Sequence, residues 1–172
     1  PVGCWRVLSP KLGRGKMVAA SELPIDTGAT AVEMAQNIFG SGVVVTGATF
    51  SGDNDSSGIY TNGDTVAPGV TPGDTGIVLS TGDAEDFTNS SGQSNQSNGT
   101  STNTSGVNND AQLNAAAGSS TLDAAILDID FIPTGDVMIM KFVFSSDEYP
   151  EYQNSVYQDF VGVWINGTQV NM

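Results

Sequence analysis

The sequence predicts a mainly β protein: an antiparallel β-sandwich of jelly-roll type with one N-terminal amphipathic helix. Short runs rich in β-branched and aromatic residues recur along the chain, and Gly, Asn and Asp turns separate them. One segment has clear helical periodicity. With 172 residues, of which 38% are hydrophobic, the chain is long enough to bury one core.

The predicted helix lies in TGATAVEMAQNIFGSG. Thr30 and Glu33 have the spacing of a capping box, and Gly40 stands where a helix would end. Its apolar stripe consists of Val32, Ala35, Ile38 and Phe39. We expect this stripe to lie on a sheet.

Alternating and β-branched runs predict the strands, which are VVVTGATF, TGIVLSTG, AAILDIDFIP, VMIMKFVF and DFVGVWING. In AAILDIDFIP, Leu127, Ile129 and Phe131 share one face, while Asp128 and Asp130 point the other way. A helical turn is expected near residues 84–87, and a brief helix in DAQLNAAAG.

Asn166-Gly167 is a strong two-residue hairpin signal. TQVNM would then begin the returning strand. Because such a strand usually has about 5–6 residues, we expect a domain that is truncated at its C-terminus.

Charge separates the first sixteen residues from the rest. Residues 1–16 hold four of the five basic residues and no acid, whereas residues 17–172 hold one lysine against all 19 acids. We interpret residues 1–16 as a tag, an upstream translation or a disordered arm, and residues 17–172 as the domain. No apolar run of signal-peptide type follows the basic residues, so an export signal is not expected within this chain.

Residues 88–110 are low in complexity and consist mainly of Ser, Thr, Asn and Gly. Such a stretch cannot bury enough apolar surface to offset its ordering entropy. A long surface loop is therefore predicted.

Composition excludes several kinds of site. The chain has no histidine, and its only cysteine, Cys4, lies in the basic arm, which excludes Ser-His-Asp triads and zinc sites of Cys/His type in the domain. The formal net charge of -14 argues against nucleic acid as a partner, because phosphate binding needs clustered Lys and Arg. No apolar run approaches the ~18–20 residues of a membrane span.

The segment KFVFSSDEYPEYQNSVYQDFVGVWING concentrates carboxylates between two strand-like runs. Ca²⁺ takes 6–8 oxygen ligands, many of them carboxylates, and would remove the repulsion among these acids. The candidate calcium ligands are Asp147, Glu148, Glu151 and Asp159, with Asp128 and Asp130 as second choices. A solvated acidic loop or a catalytic carboxylate pair are the alternatives; a pair needs a defined separation that the sequence does not determine.

A second candidate is DNDSSGIYTNGD. Asp53, Asp55, Ser57, Gly58 and Asp64 fall at positions 1, 3, 5, 6 and 12 of an EF-hand calcium loop. Position 12 is Asp rather than Glu, and a strand precedes the loop in place of a helix. The alternative is an ordinary loop rich in turn-forming residues.

Three segments together resemble the choice-of-anchor L domain family of bacterial secreted and surface proteins. They are ATAVEMAQNIFGSGVVVTGATFSG, GIVLSTGD and LDIDFIPTGDVMIMKFVFSSDEYPEYQNSVYQDFVGVWING, which run from Ala29 to Gly167. FSSDEYPEY and DFVGVWING are the most specific parts. The resemblance implies an exported module tethered by a C-terminal anchoring or sorting signal, and it carries over no catalytic residue.

We therefore expect a non-enzymatic extracellular module of a bacterial secreted or surface protein, stabilised by Ca²⁺. Its role would be adhesion, or binding of a glycan or a matrix component. The alternatives are a carbohydrate-active enzyme that uses a carboxylate pair, and a structural spacer domain.

Overall fold

The computed structural model describes residues 22–87, 102–146, 152, 155 and 158–171. The strands are β1 (Ile25–Asp26), β2 (Val43–Ser51), β3 (Ser57–Tyr60), β4 (Gly76–Leu79), β5 (Ile126–Pro133), β6 (Trp164–Ile165) and β7 (Thr168–Gln169). The helices are α1 (Ala31–Phe39), α2 (Gly63–Val66) and α3 (Ala111–Ala117). Short 3₁₀ turns occupy Gly40–Gly42, Asn54–Ser56 and Glu85–Phe87.

The strands form three small antiparallel sheets, with the orders β1-β3-β4, β2-β5 and β6-β7. Antiparallel pairing is as predicted. The expectation of a mainly β chain with one helix is corrected, since 22% of the structure is helical and 26% is strand. The brief helix predicted in DAQLNAAAG is confirmed as α3, which Asp110 caps by accepting hydrogen bonds from two amides of its first turn. The helical turn predicted near residues 84–87 is confirmed as the 3₁₀ turn Glu85–Phe87. The sandwich and jelly-roll arrangements stay predictions.

Helix α1 has the predicted ends. The Thr30 amide donates to Glu33 Oε2 (2.8 Å) and the Glu33 amide donates to Thr30 Oγ1 (3.3 Å), which completes the capping box. The helix ends at Gly40, whose φ of 56° is costly for residues with a Cβ. Met34 is 1% exposed and Ala35 is fully buried. The helix lies against β2 and β4, so it packs on sheet as expected, but Val32 of the predicted stripe is 39% exposed and Met34 is buried in its place.

The β2–β5 ladder is the longest in the structure and runs from Val43 opposite Pro133 to Ser51 opposite Ile126. A bulge interrupts it at Thr46, whose hydroxyl donates to the Asp130 carbonyl (3.1 Å). The extra residue changes which side chains of β2 face inward, from the odd-numbered positions before the bulge to the even-numbered ones after it.

The hairpin predicted at Asn166-Gly167 is confirmed. Both residues have positive φ, 50° and 76°, as a type I′ turn requires. The turn joins β6 to β7, and the Val170 amide donates to the Val163 carbonyl (2.8 Å).

The strand predicted in VMIMKFVF is wrong. Residues 137–144 belong to no strand in the described part of the chain, and Val137 and Ile139 are each 82% exposed. A strand needs a hydrogen-bonded neighbour as well as an alternating sequence. DFVGVWING contributes only the two residues of β6.

Among the residues with described positions, the buried side chains lie before residue 125. The buried apolar residues are Leu23, Met34, Ala35, Tyr60, Ala84 and Ala124, and the buried polar ones are Ser56, Ser57 and Ser80. None of the helices among the described residues has the length and hydrophobicity needed to span a bilayer.

Candidate functional site

We call the acidic segment between Lys141 and Gly167 the acidic connection. Of the four ligands predicted there, Asp159 is the one whose position the structure describes. Asp147, Glu148 and Glu151 lie outside the described residues. The Ser146 hydroxyl donates a hydrogen bond to Asp159 Oδ2. Burial raises the pKa of the Asp159 carboxyl, and the hydrogen bond from Ser146 only partly opposes that effect. The charged form of Asp159 is therefore incompletely stabilised, and a bound cation would stabilise it.

Asp128 and Asp130 lie on β5 as predicted, two residues apart and both exposed. They stand opposite Thr49 and Gly47 of β2. Among the residues with described positions, no group of three or more carboxylates could hold a metal ion, so Asp128, Asp130 and Asp159 do not form such a group by themselves. Calcium binding through the undescribed acids of the connection stays a prediction.

Asp53 of the second candidate segment ties two distant parts of the chain together. Its Oδ2 accepts hydrogen bonds from the Ser105 amide and hydroxyl, both at 2.7 Å, and its Oδ1 accepts from the Asp55 amide (3.1 Å). These donors lower the pKa of Asp53, the Ser105 hydroxyl most of all. In this structure the carboxylate acts as a structural acceptor.

The other residues of that segment lie in two different elements. Ser57 and Gly58 lie in β3, and Asp64 lies in α2, where its amide donates to Asp74 Oδ1 (3.1 Å). A Cβ on Gly58 would lie 2.6 Å from Ile25 Cγ2. The glycine at position 6 thus allows β1 to approach β3, a role that differs from the EF-hand turn. Calcium binding by this segment stays a prediction.

Tyr60 forms a buried polar centre that the sequence did not indicate. Its hydroxyl donates to the Gly73 carbonyl (3.2 Å), and the Thr75 hydroxyl donates to the Tyr60 carbonyl (3.0 Å). Burial raises the pKa of Tyr60, and the nearby carboxylates of Asp64 and Asp74 add to the increase. These contacts close the connection between β3 and β4. The only sequence signal was an aromatic residue at the end of a short strand.

Part of the low-complexity loop is held against the body. Residues 88–101 lie outside the described residues, but 102–110 do not. Thr104 donates to the Thr81 carbonyl (2.7 Å), and Val107 pairs with Ala124 in an isolated bridge. The Ser105 contacts connect the loop to Asp53 before β3, while the other two connect it to the residues after β4 and before β5.

Comparison with known proteins finds one family. The model of the choice-of-anchor L domain matches residues 24–172, a range that includes every candidate ligand. No curated protein and no solved structure matches the chain.

Proposed function

The chain belongs to the choice-of-anchor L domain family, and from this membership we propose a non-enzymatic extracellular module that calcium stabilises and that serves adhesion to a glycan or matrix component. The family indicates a bacterial surface or secreted protein. Calcium is abundant enough outside cells for even weak sites, with dissociation constants of about 10⁻⁴–10⁻³ M, to be useful.

The state of Asp159 is the observation that supports calcium. Its carboxyl is partly buried, burial raises its pKa, and the Ser146 hydroxyl donates a hydrogen bond to it. Three further carboxylates lie within the preceding twelve residues, and Lys141 is the only basic residue after position 16. A divalent cation with oxygen ligands is the partner that such a group of acids would favour.

Calcium that binds only the folded chain should raise the free energy of unfolding in proportion to the logarithm of its concentration. At a hundred times the dissociation constant the increase is about 2.7 kcal/mol. For a chain of this size, that corresponds to a rise in melting temperature of about 5–11 °C.

Thermal melts in EDTA, in CaCl₂ and in MgCl₂ test this proposal. We expect calcium to raise the melting temperature of the natural chain and of Asp136→Asn, a control that removes an exposed carboxylate outside the connection. Asp159→Asn should lose most of the response. A natural chain that is indifferent to calcium, or an Asp159→Asn variant that responds as fully as the control, would contradict it.

A further inference from the structure

A cavity of about 390 Å³ opens beside the first turn of α1. One part of its wall is carbon, from Ala31, Met34 and Phe50, and another part is polar, from Thr27, Asn54 and Ser57. None of the residues that line the cavity is charged. Its volume falls toward the lower end of the ~300–1,000 Å³ that small-molecule sites occupy.

The Ser57 hydroxyl is the polar group that points to a ligand. Ser57 is 4% exposed, and because it lines the cavity, the surface that it retains faces that space. Its hydroxyl makes no hydrogen bond to any residue whose position is described. The neighbouring Ser56 shows the usual arrangement, since its buried hydroxyl donates to the Gly82 carbonyl (2.9 Å). The Ser57 Oγ is not completely buried, so it keeps access to the cavity, where water or a ligand can serve as its partner.

The start of α1 adds donors on the same side. The Glu33 amide is capped by Thr30, whereas Ala31 is the first helical residue and its amide has no acceptor within the helix. The Glu33 carboxylate is held at the same helix end by the Thr30 amide and hydroxyl. Its charge, with the net charge of -14, disfavours an anion, while the uncharged lining offers a cation no partner. A neutral ligand with hydroxyl oxygens fits both conditions.

We propose that this cavity binds a single neutral hexose unit of a glycan. The hydroxyls of the sugar would hydrogen bond to Ser57, Thr27 and Asn54, and its C–H face would contact Phe50 and Ala31. The inference rests on the proposed function in one respect: a module that adheres to a glycan needs a site for a sugar. The cavity is lined by the turn between β1 and α1, by α1, by β2 and by the 3₁₀ turn and strand that follow it, so sugar binding does not depend on calcium at the acidic connection.

Titration of the ¹⁵N-labelled chain with the methyl glycosides of glucose, galactose and mannose tests the proposal by NMR. We expect the amide signals of Ala31, Asn54 and Ser57 to shift with one of these sugars. The expected dissociation constant is ~1 mM, which corresponds to a binding free energy of about 4 kcal/mol. The titration is run both in EDTA and in calcium, and binding is expected in both.

Two adjacent serines provide a matched pair of variants. Ser57→Ala should weaken sugar binding about 3- to 10-fold, the effect of one lost hydrogen bond, without lowering the melting temperature. Ser56→Ala should lower the melting temperature, because it leaves the Gly82 carbonyl without its donor, but should leave the dissociation constant unchanged. Ala31→Leu fills the cavity, keeps a good helix-forming residue and should abolish binding.

The proposal is overturned if none of the three glycosides shifts these signals, or if binding survives both Ser57→Ala and Ala31→Leu in folded protein. A chain that binds the sugar yet ignores calcium would retain this site and lose the calcium proposal. A chain that responds to calcium and binds no sugar would have the reverse outcome.

Discussion

Apolar side chains are buried around α1 and exposed in residues 137–144. Strands β2 and β5 pair over their whole length and carry side chains that alternate between inward and outward positions, apart from the bulge at Thr46. The segment 137–144 has the same kind of alternating sequence, yet it belongs to no strand. An alternating pattern therefore determines which side chains share a face, whereas burial depends on a neighbouring strand that the pattern does not specify.

The pKa values of carboxylates also differ between the two regions. Around α1, the Thr30 hydroxyl and amide lower the pKa of Glu33, and Ser105 does the same for Asp53. In the acidic connection, burial raises the pKa of Asp159. In the first region hydrogen-bond donors have the larger effect on the pKa, whereas at Asp159 burial has a larger effect than the hydrogen bond from Ser146. We propose that calcium is the further partner of Asp159.

The largest expected effect comes from replacing a methionine with alanine in each of the two regions. Met34→Ala removes a side chain of α1 that is only 1% exposed and should lower the free energy of unfolding by about 2–5 kcal/mol. Met140→Ala acts on a side chain that is 44% exposed and should cost within about 0.5 kcal/mol. Urea denaturation in EDTA measures both, and similar costs would mean that the two regions do not differ in packing.

Alanine substitutions at two glycines, one closely packed and one in open space, test how tightly the loop before α3 is held. A Cβ on Gly106 would lie 2.4 Å from the backbone carbon of Asp123, beside the Val107–Ala124 bridge. We expect Gly106→Ala to destabilise the chain by about 1–3 kcal/mol, because backbone must move. A Cβ on Gly135 would meet no atom within 4 Å, so Gly135→Ala should change the melting temperature little. Equal effects in the same melts would be evidence against a tightly held loop.

A smaller effect is expected at the N-cap of α1. Thr30→Ala removes the hydroxyl that accepts from the Glu33 amide, and N-cap losses of this kind cost ~1 kcal/mol. Thr30→Ser keeps that oxygen and serves as the control. Circular dichroism melts compare the two, and the prediction fails if both variants lose the same stability.

Glu33 and Asp159 should change the stability of the chain with pH in opposite directions, because the pKa of Glu33 is lowered and that of Asp159 is raised. The lowered pKa of Glu33 means that its contribution to stability is present above its unfolded pKa and is lost as pH falls through the folded pKa. The raised pKa of Asp159 means that its contribution is present below the unfolded pKa and is lost as pH rises through the folded pKa.

In EDTA, Glu33→Gln should therefore be less stable than the natural chain at neutral pH, and Asp159→Asn more stable. Both differences should shrink as the pH falls below about 3.5, where free carboxyls become protonated. Urea denaturation across this range measures them. A destabilised Asp159→Asn at neutral pH without calcium would contradict the description of that carboxyl.

Signals within a few residues predicted much of this fold. The Thr30–Glu33 spacing identified α1, and Asn166-Gly167 identified the β6–β7 hairpin. The bond from Ser105 to Asp53 spans 52 positions and begins in a low-complexity segment, so no local pattern indicated it. The free hydroxyl of Ser57 was likewise hidden, because the sequence shows a serine at an EF-hand position and not the strand that buries it.

The most direct test of the account is calcium binding itself, measured by isothermal titration calorimetry on the chelator-treated chain. We predict saturable binding of Ca²⁺ by the natural chain, retained in Asp136→Asn and lost when Glu148→Gln and Asp159→Asn are combined. An absence of binding heat at millimolar calcium, or equal binding by the doubly substituted chain, would contradict it.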